Sequence, residues 1–369
     1  MKQYKNYKRI VVKIGSSILV NQESNKIKGK WLKSFCEDIK LLMEYNKEIV
    51  IVTSGAVALG KKFITSQKKI TKLEDKQAAA AAGQIELIKY WQQSLLKNDI
   101  KSAQLLLTLN DSEERRRYLN ARKTINSLLN KKIIPIVNEN DTIATEEIRF
   151  GDNDRLAARV SQMISSDLLV VLSEMDGLYE QNPKINPFAK KIKTIRSISK
   201  KIESAATTKS SLLGSGGMKT KIWAAKICMS SGCSMIVANG KNSNPLEKIT
   251  KNNSSWFIAS KTPKSARKQW IINHLNTTGE IVIDAGAVKA LKKNKSLLPA
   301  GVIKIIGKFN RGDAVTVYNK SRKKIAVGLS GYDVNDSIKI MGKKSKMIKN
   351  ILGYDGREEI IHKDDLVLY

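Results

Sequence analysis

The sequence predicts an α/β chain: an open, mainly parallel sheet with helices on both faces, followed by a small C-terminal β-barrel. Three observations lead there. Over the first 260 residues, continuous Val/Ile/Leu runs alternate with helix-period segments, the pattern of strands buried on both faces. Beyond residue 260 the apolar runs shorten, and Gly and Asp punctuate them. A length of 369 residues suits two domains, and 41% apolar residues is enough for two cores. The expected divisions are 1–260 for the α/β domain, 261–277 for a linker and 278–369 for the barrel.

Each element has its own signal. Lys8–Ile14 (KRIVVKI) reads as a strand that runs into Gly15-Ser16-Ser17. Trp31–Tyr45 places apolar residues at helical spacing, through Trp31, Leu32, Phe35, Ile39, Leu42 and Met43. Glu48–Thr53 is a buried strand ending at Ser54-Gly55-Ala56, a strand-to-helix turn. Asp75–Leu96 is an Ala-rich helix, Lys101–Thr108 a strand and Glu113–Asn130 a helix. Lys132–Asn138 reads as a strand despite Pro135, which cannot donate to a central ladder. Gly151–Ser165 and Gly217–Ser231 are helical, and Asp167–Ser173 and Ser234–Ala238 are strands. In the C-terminal part the strands are Glu280–Ile283, Val302–Phe309, Ala314–Asn319, Lys324–Leu329 and Leu366–Leu368.

Composition excludes several classes. No apolar run approaches the ~18 residues of a membrane span, and the basic N-terminus is followed by an apolar run broken at Lys13, a poor signal peptide. Three cysteines make no disulfide framework, and Cys228 and Cys233 have no His near them in sequence, against structural zinc. A cytoplasmic protein is expected. The formal charge of +32 invites a nucleic-acid partner. Against that, the excess is spread evenly, and only 13 of the 66 basic residues are Arg, the residue suited to bidentate base readout. A solvated surface is the plainer reading, with attraction of small anions or of nucleic acid beside it.

The chain lacks the G-x-x-x-x-G-K-[ST], G-x-G-x-x-G, G-x-S-x-G and H-E-x-x-H motifs. Four strand ends carry chemistry instead, where open α/β sheets bind ligands. Lys13 near the end of a buried strand is costly without a partner, and Gly15 after it suits close approach of an anion to free N–H groups. An edge-strand Lys before an ordinary turn is the bland alternative. Thr53-Ser54-Gly55-Ala56 opens a helix, either as an anion site or as a plain Ser cap. From Asn138 to Asp154, nine of seventeen positions are carboxylates or carboxamides, enough to hold an ammonium and orient lysines, or simply to make Asx turns. Leu213–Lys221 (LGSGGMKTK) puts Lys219 and Lys221 in a first helical turn, where the dipole disfavours cations unless a polyanion lies between them. A glycine-rich linker is its alternative. Together these suit phosphoryl transfer to a carboxylate, which needs positioning and positive charge. A Mg²⁺ bridging nucleotide oxygens is expected with it.

These residues carry a resemblance over essentially the whole chain. Val11–Ser17, Ile51–Ala56, Tyr118–Arg122, Ile136–Asp141, Gly151–Asp154, Gly177–Tyr179 and Gly214–Lys221 are similar to the motifs of the bacterial glutamate 5-kinases, in the amino-acid kinase superfamily. Leu297–Gly301 and Arg311–Asp313 resemble the PUA domain attached to many of them. The resemblance implies an amino-acid kinase-like fold and ATP-dependent phosphorylation of L-glutamate to γ-glutamyl phosphate, the first step of proline biosynthesis. It implies that Lys13 and Lys221 stabilise the transferred phosphoryl group and that Asp154 holds them. Ser54, Asp141 and Asn153 would bind glutamate. Lys13, Gly15 and the loop Ser215, Gly216, Gly217, Met218, Lys219, Thr220 and Lys221 would hold ATP. Ser173-Glu174 stand near the nucleotide, where the family usually has Thr-Asp. Homo-oligomers inhibited by proline are typical of the family. Two other readings remain open: a related kinase acting on another carboxylate or a carbamate, and an RNA-binding protein acting through its PUA-like domain.

Overall fold

A computed structural model describes residues 1–64, 70, 72–143, 153–181, 183, 185–205, 217–266 and 277–369, apart from the side chain of residue 115. Two compact units result, Met1–Pro263 and Lys264–Tyr369.

In the first unit the chain runs β1 (Arg9–Ile14), α1 (Gly29–Glu44), β2 (Glu48–Val52), α2 (Ala56–Ile64), α3 (Leu73–Leu96), β3 (Ser102–Leu107), α4 (Arg115–Asn130) and β4 (Ile134–Glu139). It continues with α5 (Asn153–Met163), β5 (Leu168–Ser173), β6 (Thr194–Ile195), α6 (Met218–Ser230), β7 (Ser234–Asn239) and β8 (Ser254–Phe257). The strands form one sheet in the order β6-β8-β7-β5-β1-β2-β4-β3. From β7 to β3 every neighbouring pair is parallel; β8 runs antiparallel to β7.

Alternation along the strands builds two cores. Ile10, Val12, Ile14, Ile49, Ile51, Leu168, Val170 and Leu172 pack on one face, against Trp31, Phe35 and Ile39 of α1 and Leu87 and Trp91 of α3. The intervening Val11, Val50, Val52, Leu169 and Val171 pack on the other, against α4, α5 and α6 through Ile125, Val160 and Ala225. The period of two therefore fixes where Lys13 goes: two residues after Val11, it falls on the face of α5 and α6.

Pro135 is accommodated in β4 inside the sheet. Successive amides of a parallel strand point to alternate neighbours, and Ile134 N–H donates to Lys101 on the β3 side. The amide that Pro135 lacks would face β2, and the β2–β4 ladder begins only at Ile51 opposite Ile136. Two sheet strands escape the sequence reading, β6 and β8. In β8 the apolar signal is diluted by Ser254 and Ser255, both buried; Ser255 Oγ donates to Ile192 O at 2.7 Å and accepts from Leu178 N–H at 2.8 Å. Helix α2 is legible only as its opening turn.

The second unit has β9 (Gly279–Ile283), α7 (Ala285–Lys292), β10 (Val302–Gly307), β11 (Ala314–Asn319), β12 (Lys324–Leu329), α8 (Val334–Ile340), α9 (Ile348–Leu352) and β13 (Leu366–Leu368). Its five strands lie in the order β10-β9-β11-β12-β13, with β9 and β11 parallel and the other pairs antiparallel. Ile281, Ile283, Val315, Val317 and Ala326 form a core of its own with Leu291 and Ile340. The helices correct a purely β reading. Aspartates that look like turn punctuation are N-caps: Asp284 accepts from Ala287 N–H at 2.6 Å and Asp333 from Asp336 N–H at 2.9 Å.

Candidate active site

The parallel strands bring their carboxyl ends to one edge of the sheet, and there Lys13 (β1), Asp154 (α5) and Lys221 (α6) meet. Lys13 Nζ lies 2.7 Å from Asp154 Oδ1, and Lys221 Nζ lies 3.0 Å from Oδ2. Thr220 Oγ donates to the same Oδ2 at 2.9 Å. Asp154 is wholly buried, with Lys13 5% and Lys221 3% exposed. Burial alone would raise the Asp154 pKa; the two ammonium groups overcome it and hold the carboxyl well below the usual carboxylate range. Among the described residues, one buried carboxylate here faces two ammonium groups. Such a cluster favours an incoming anion.

Beside it lies a chain of amides. Asn153, next to Asp154, donates through Nδ2 to Thr53 O at 2.6 Å, Ser54 Oγ at 2.8 Å and Asn138 Oδ1 at 2.9 Å. Asn138 donates in turn to Gln84 Oε1 at 2.7 Å. Asn153 Oδ1 is buried and has no hydrogen-bond partner among the described residues. Gly55 holds the turn at φ +117°, a conformation that favours glycine and lets the chain enter α2 at once. Asp141 is half-buried, and that burial raises its pKa to about 6; among the described residues no cation offsets it.

Helices α2 and α3 reach this edge through small residues. A Cβ on Gly60 would stand 1.8 Å from Ala79 O, and one on Gly83 1.9 Å from Ala56 O. Only hydrogen at both positions lets the backbones touch, which sets Gln84 against Asn138. Trp91 of α3 donates to Thr53 Oγ at 3.0 Å and fixes the same strand end from beneath.

The structure therefore gathers Lys13, Asp154, Lys221, Asn153, Ser54 and Thr220, with Gln84 added. Gly15 departs from expectation. Its N–H is not free, since it donates to Leu172 O at 3.2 Å, and its backbone is extended. A Cβ there would make ordinary contact, 3.6 Å from Leu172 O, so close approach does not demand glycine. Among the described residues, the amides of that turn that find no acceptor are those of Ser16 and Ser17, at the head of the helical turn Ser16–Leu19. Gly217 caps α6 in extended conformation, Met218 and Thr220 are half-exposed and Lys219 is exposed. Ser173 Oγ accepts from Met175 N–H at 3.1 Å, and exposed Glu174 pairs with Lys241 at 3.3 Å. Gly151, Asp152, Gly214, Ser215 and Gly216 lie outside the described residues. Gln84 carries no signal of its own in the sequence, standing after a run of alanines and Gly83.

Comparison with known proteins places these features in a family. Residues 8–239 match the sequence profile of the amino acid kinase family, and residues 279–352 that of the PUA domain. The glutamate 5-kinase of Agrobacterium fabrum is 52% identical over 364 residues, 98% of this chain and 93% of that protein. The glutamate 5-kinase of Sinorhizobium fredii is 51% identical over 363 residues, 98% of this chain and 92% of that protein.

Proposed function

The chain belongs to the amino acid kinase family, and from that premise, with glutamate 5-kinases as its relatives, we propose that it transfers the γ-phosphoryl group of ATP to the γ-carboxylate of L-glutamate. The products are ADP and γ-glutamyl phosphate, in the first step of proline biosynthesis. The observation that carries this reading is the buried Lys13–Asp154–Lys221 cluster, in which one carboxylate holds two ammonium groups side by side.

A γ-carboxylate oxygen attacks the γ-phosphorus as the bond to the bridging β–γ oxygen breaks. The acceptor is already ionised at neutral pH, so the reaction needs no general base. It needs charge where the migrating phosphoryl group sits, and Lys13 and Lys221 supply it from two sides. Asp154 holds both ammonium tips in register. The turn from Gly217 to Lys221, with Ser215 and Gly216 before it, cradles the triphosphate, and Ser173 and Glu174 stand beside the nucleotide. Asp141 and Asn153 receive the α-ammonium: a desolvated carboxyl and a buried unpaired carbonyl oxygen are both relieved by one cation. Ser54 completes that side.

Among the described residues no group of three or more His, Cys, Asp or Glu side chains could hold a metal ion, and both oxygens of Asp154 are engaged. Mg²⁺ arriving with ATP would take phosphate oxygens and water as ligands and shield the phosphate charge. Among the described residues no helix is long and apolar enough to cross a membrane. A cytoplasmic homo-oligomer inhibited by proline completes the reading, supported by the family resemblance.

A coupled assay of ADP release tests it. Release is expected with L-glutamate and not with N-acetylglutamate or aspartate. Equal turnover of aspartate, or none of glutamate, would overturn the substrate.

A further inference from the structure

The amide chain beside the lysine cluster has a direction, and the direction ends on an unassigned residue. A backbone carbonyl can only accept, so Thr53 O obliges Asn153 to present its NH₂ group. That same NH₂ also meets Asn138 Oδ1, so Asn138 turns its own NH₂ away, onto Gln84 Oε1. Gln84 then has its acceptor occupied and its Nε2 donor pair left over. Among the described residues Nε2 makes no recorded hydrogen bond, and the side chain is only half-buried. The carbonyl at Thr53 thus sets the polarity of three consecutive amides. It leaves a bare acceptor, Asn153 Oδ1, at one end and a bare donor pair, Gln84 Nε2, at the other.

L-Glutamate has three charged groups to place. The γ-carboxylate must reach the phosphoryl group between the lysines, and the α-ammonium suits Asn153 Oδ1 and Asp141. The α-carboxylate still needs donors, and Gln84 Nε2 is the donor that the network leaves open on this side. We infer that Gln84 binds the α-carboxylate of the amino-acid substrate, held in place by Asn138 and by the close crossing of α2 and α3 at Gly60 and Gly83. The inference rests on glutamate being the acceptor.

Two roles of Gln84 separate in one substitution. Gln84→Glu keeps the oxygen that accepts from Asn138 and replaces the NH₂ donor by a like charge facing the carboxylate. A merely structural Gln84 predicts wild-type kinetics in this variant. A substrate-binding Gln84 predicts a KM for glutamate raised at least roughly tenfold, the weight of one hydrogen bond to a charged group. The KM for ATP should stay within about twofold, since the triphosphate is assigned to the start of α6 and Gln84 stands on α3. Gln84→Ala, which adds no charge, should raise the glutamate KM by a smaller factor. It also keeps the test open if Gln84→Glu is poorly folded. Wild-type KM for glutamate in the folded variants, or an equal rise for ATP, would overturn the assignment. Absence of glutamate-dependent ADP release in the unsubstituted enzyme would instead sink the functional reading, so the two failures are distinct.

Discussion

At Asp154 two effects oppose each other on one carboxylate: burial favours the neutral acid, and the ammoniums of Lys13 and Lys221 favour the anion. The anion wins, so the native pKa lies below the unfolded value. Its stabilisation is present above about pH 4 and lost as acidification protonates the group. Asp154→Asn takes the shared carboxylate from two buried cations, a loss of roughly 3–5 kcal/mol for one partner of a buried pair. Denaturant unfolding at pH 7 should show that loss, and a variant as stable as the parent would refute the pairing. Lys221→Ala removes one donor to the phosphoryl group and should lower kcat by about two orders of magnitude, with folding intact by circular dichroism. Asp141 behaves oppositely. Its pKa of about 6 in the free protein means that it is half-protonated in mildly acid solution, and an ammonium substrate must displace that proton. The KM for glutamate should therefore rise as pH falls below about 6, and Asp141→Asn should raise KM and abolish that limb. A pH-independent KM in the unsubstituted enzyme would remove Asp141 from the substrate site. Lys13 could be read from sequence because it is a charge out of place near the end of an apolar strand, whereas Asp141 stands out only as part of a run of carboxylates and carboxamides. Gln84 could not, because its role comes from what the fold sets opposite it.

At the scale of elements, the pairing of α2 with α3 decides whether the amide chain meets the substrate. Alanine in place of Gly83 gains up to about 1 kcal/mol of helix propensity. Against that, its Cβ would fall 1.9 Å from a backbone oxygen of Ala56, which has no rotamer to move into. The clash wins, and the helices must part. Gly83→Ala should lower stability by roughly 1–3 kcal/mol and weaken glutamate more than ATP, which unfolding curves and the two KM values would show. A stabilised variant with unchanged kinetics would mean that the helices do not touch there. The sheet itself is legible because period-two apolar runs identify strands buried on both faces, and the helix period identifies their covers. What is not legible depends on tertiary satisfaction. Ser254 and Ser255 read as loop until their hydroxyls find partners, and Asp284 and Asp333 read as turns until a helix forms behind each. Pro135 argues against an inner strand until the ladder is seen to begin after it.

At the scale of the whole molecule, the charge of +32 and the second unit raise the same issue, whether catalysis needs more than the kinase-like unit. Lys13, Ser54, Gln84, Asp141, Asn153, Asp154 and Lys221 all belong to Met1–Pro263. That unit buries its sheet with its own helices, and the second unit has a separate core around Ile281, Val315 and Val317. A unit of that size buries enough surface to fold alone. Nor does the net charge act at the site in proportion to its size, because exposed charges beyond about 8 Å are screened at physiological salt, whereas the buried lysine pair is not. Removal of Thr278–Tyr369 should therefore leave glutamate-dependent ADP formation, with both KM values within a few-fold of the full chain. Raising salt from 50 to 200 mM should change kcat little in either form, since the decisive charges are out of water. Complete loss of phosphorylation in a truncated protein that still unfolds cooperatively would show that the second unit supplies something the site requires.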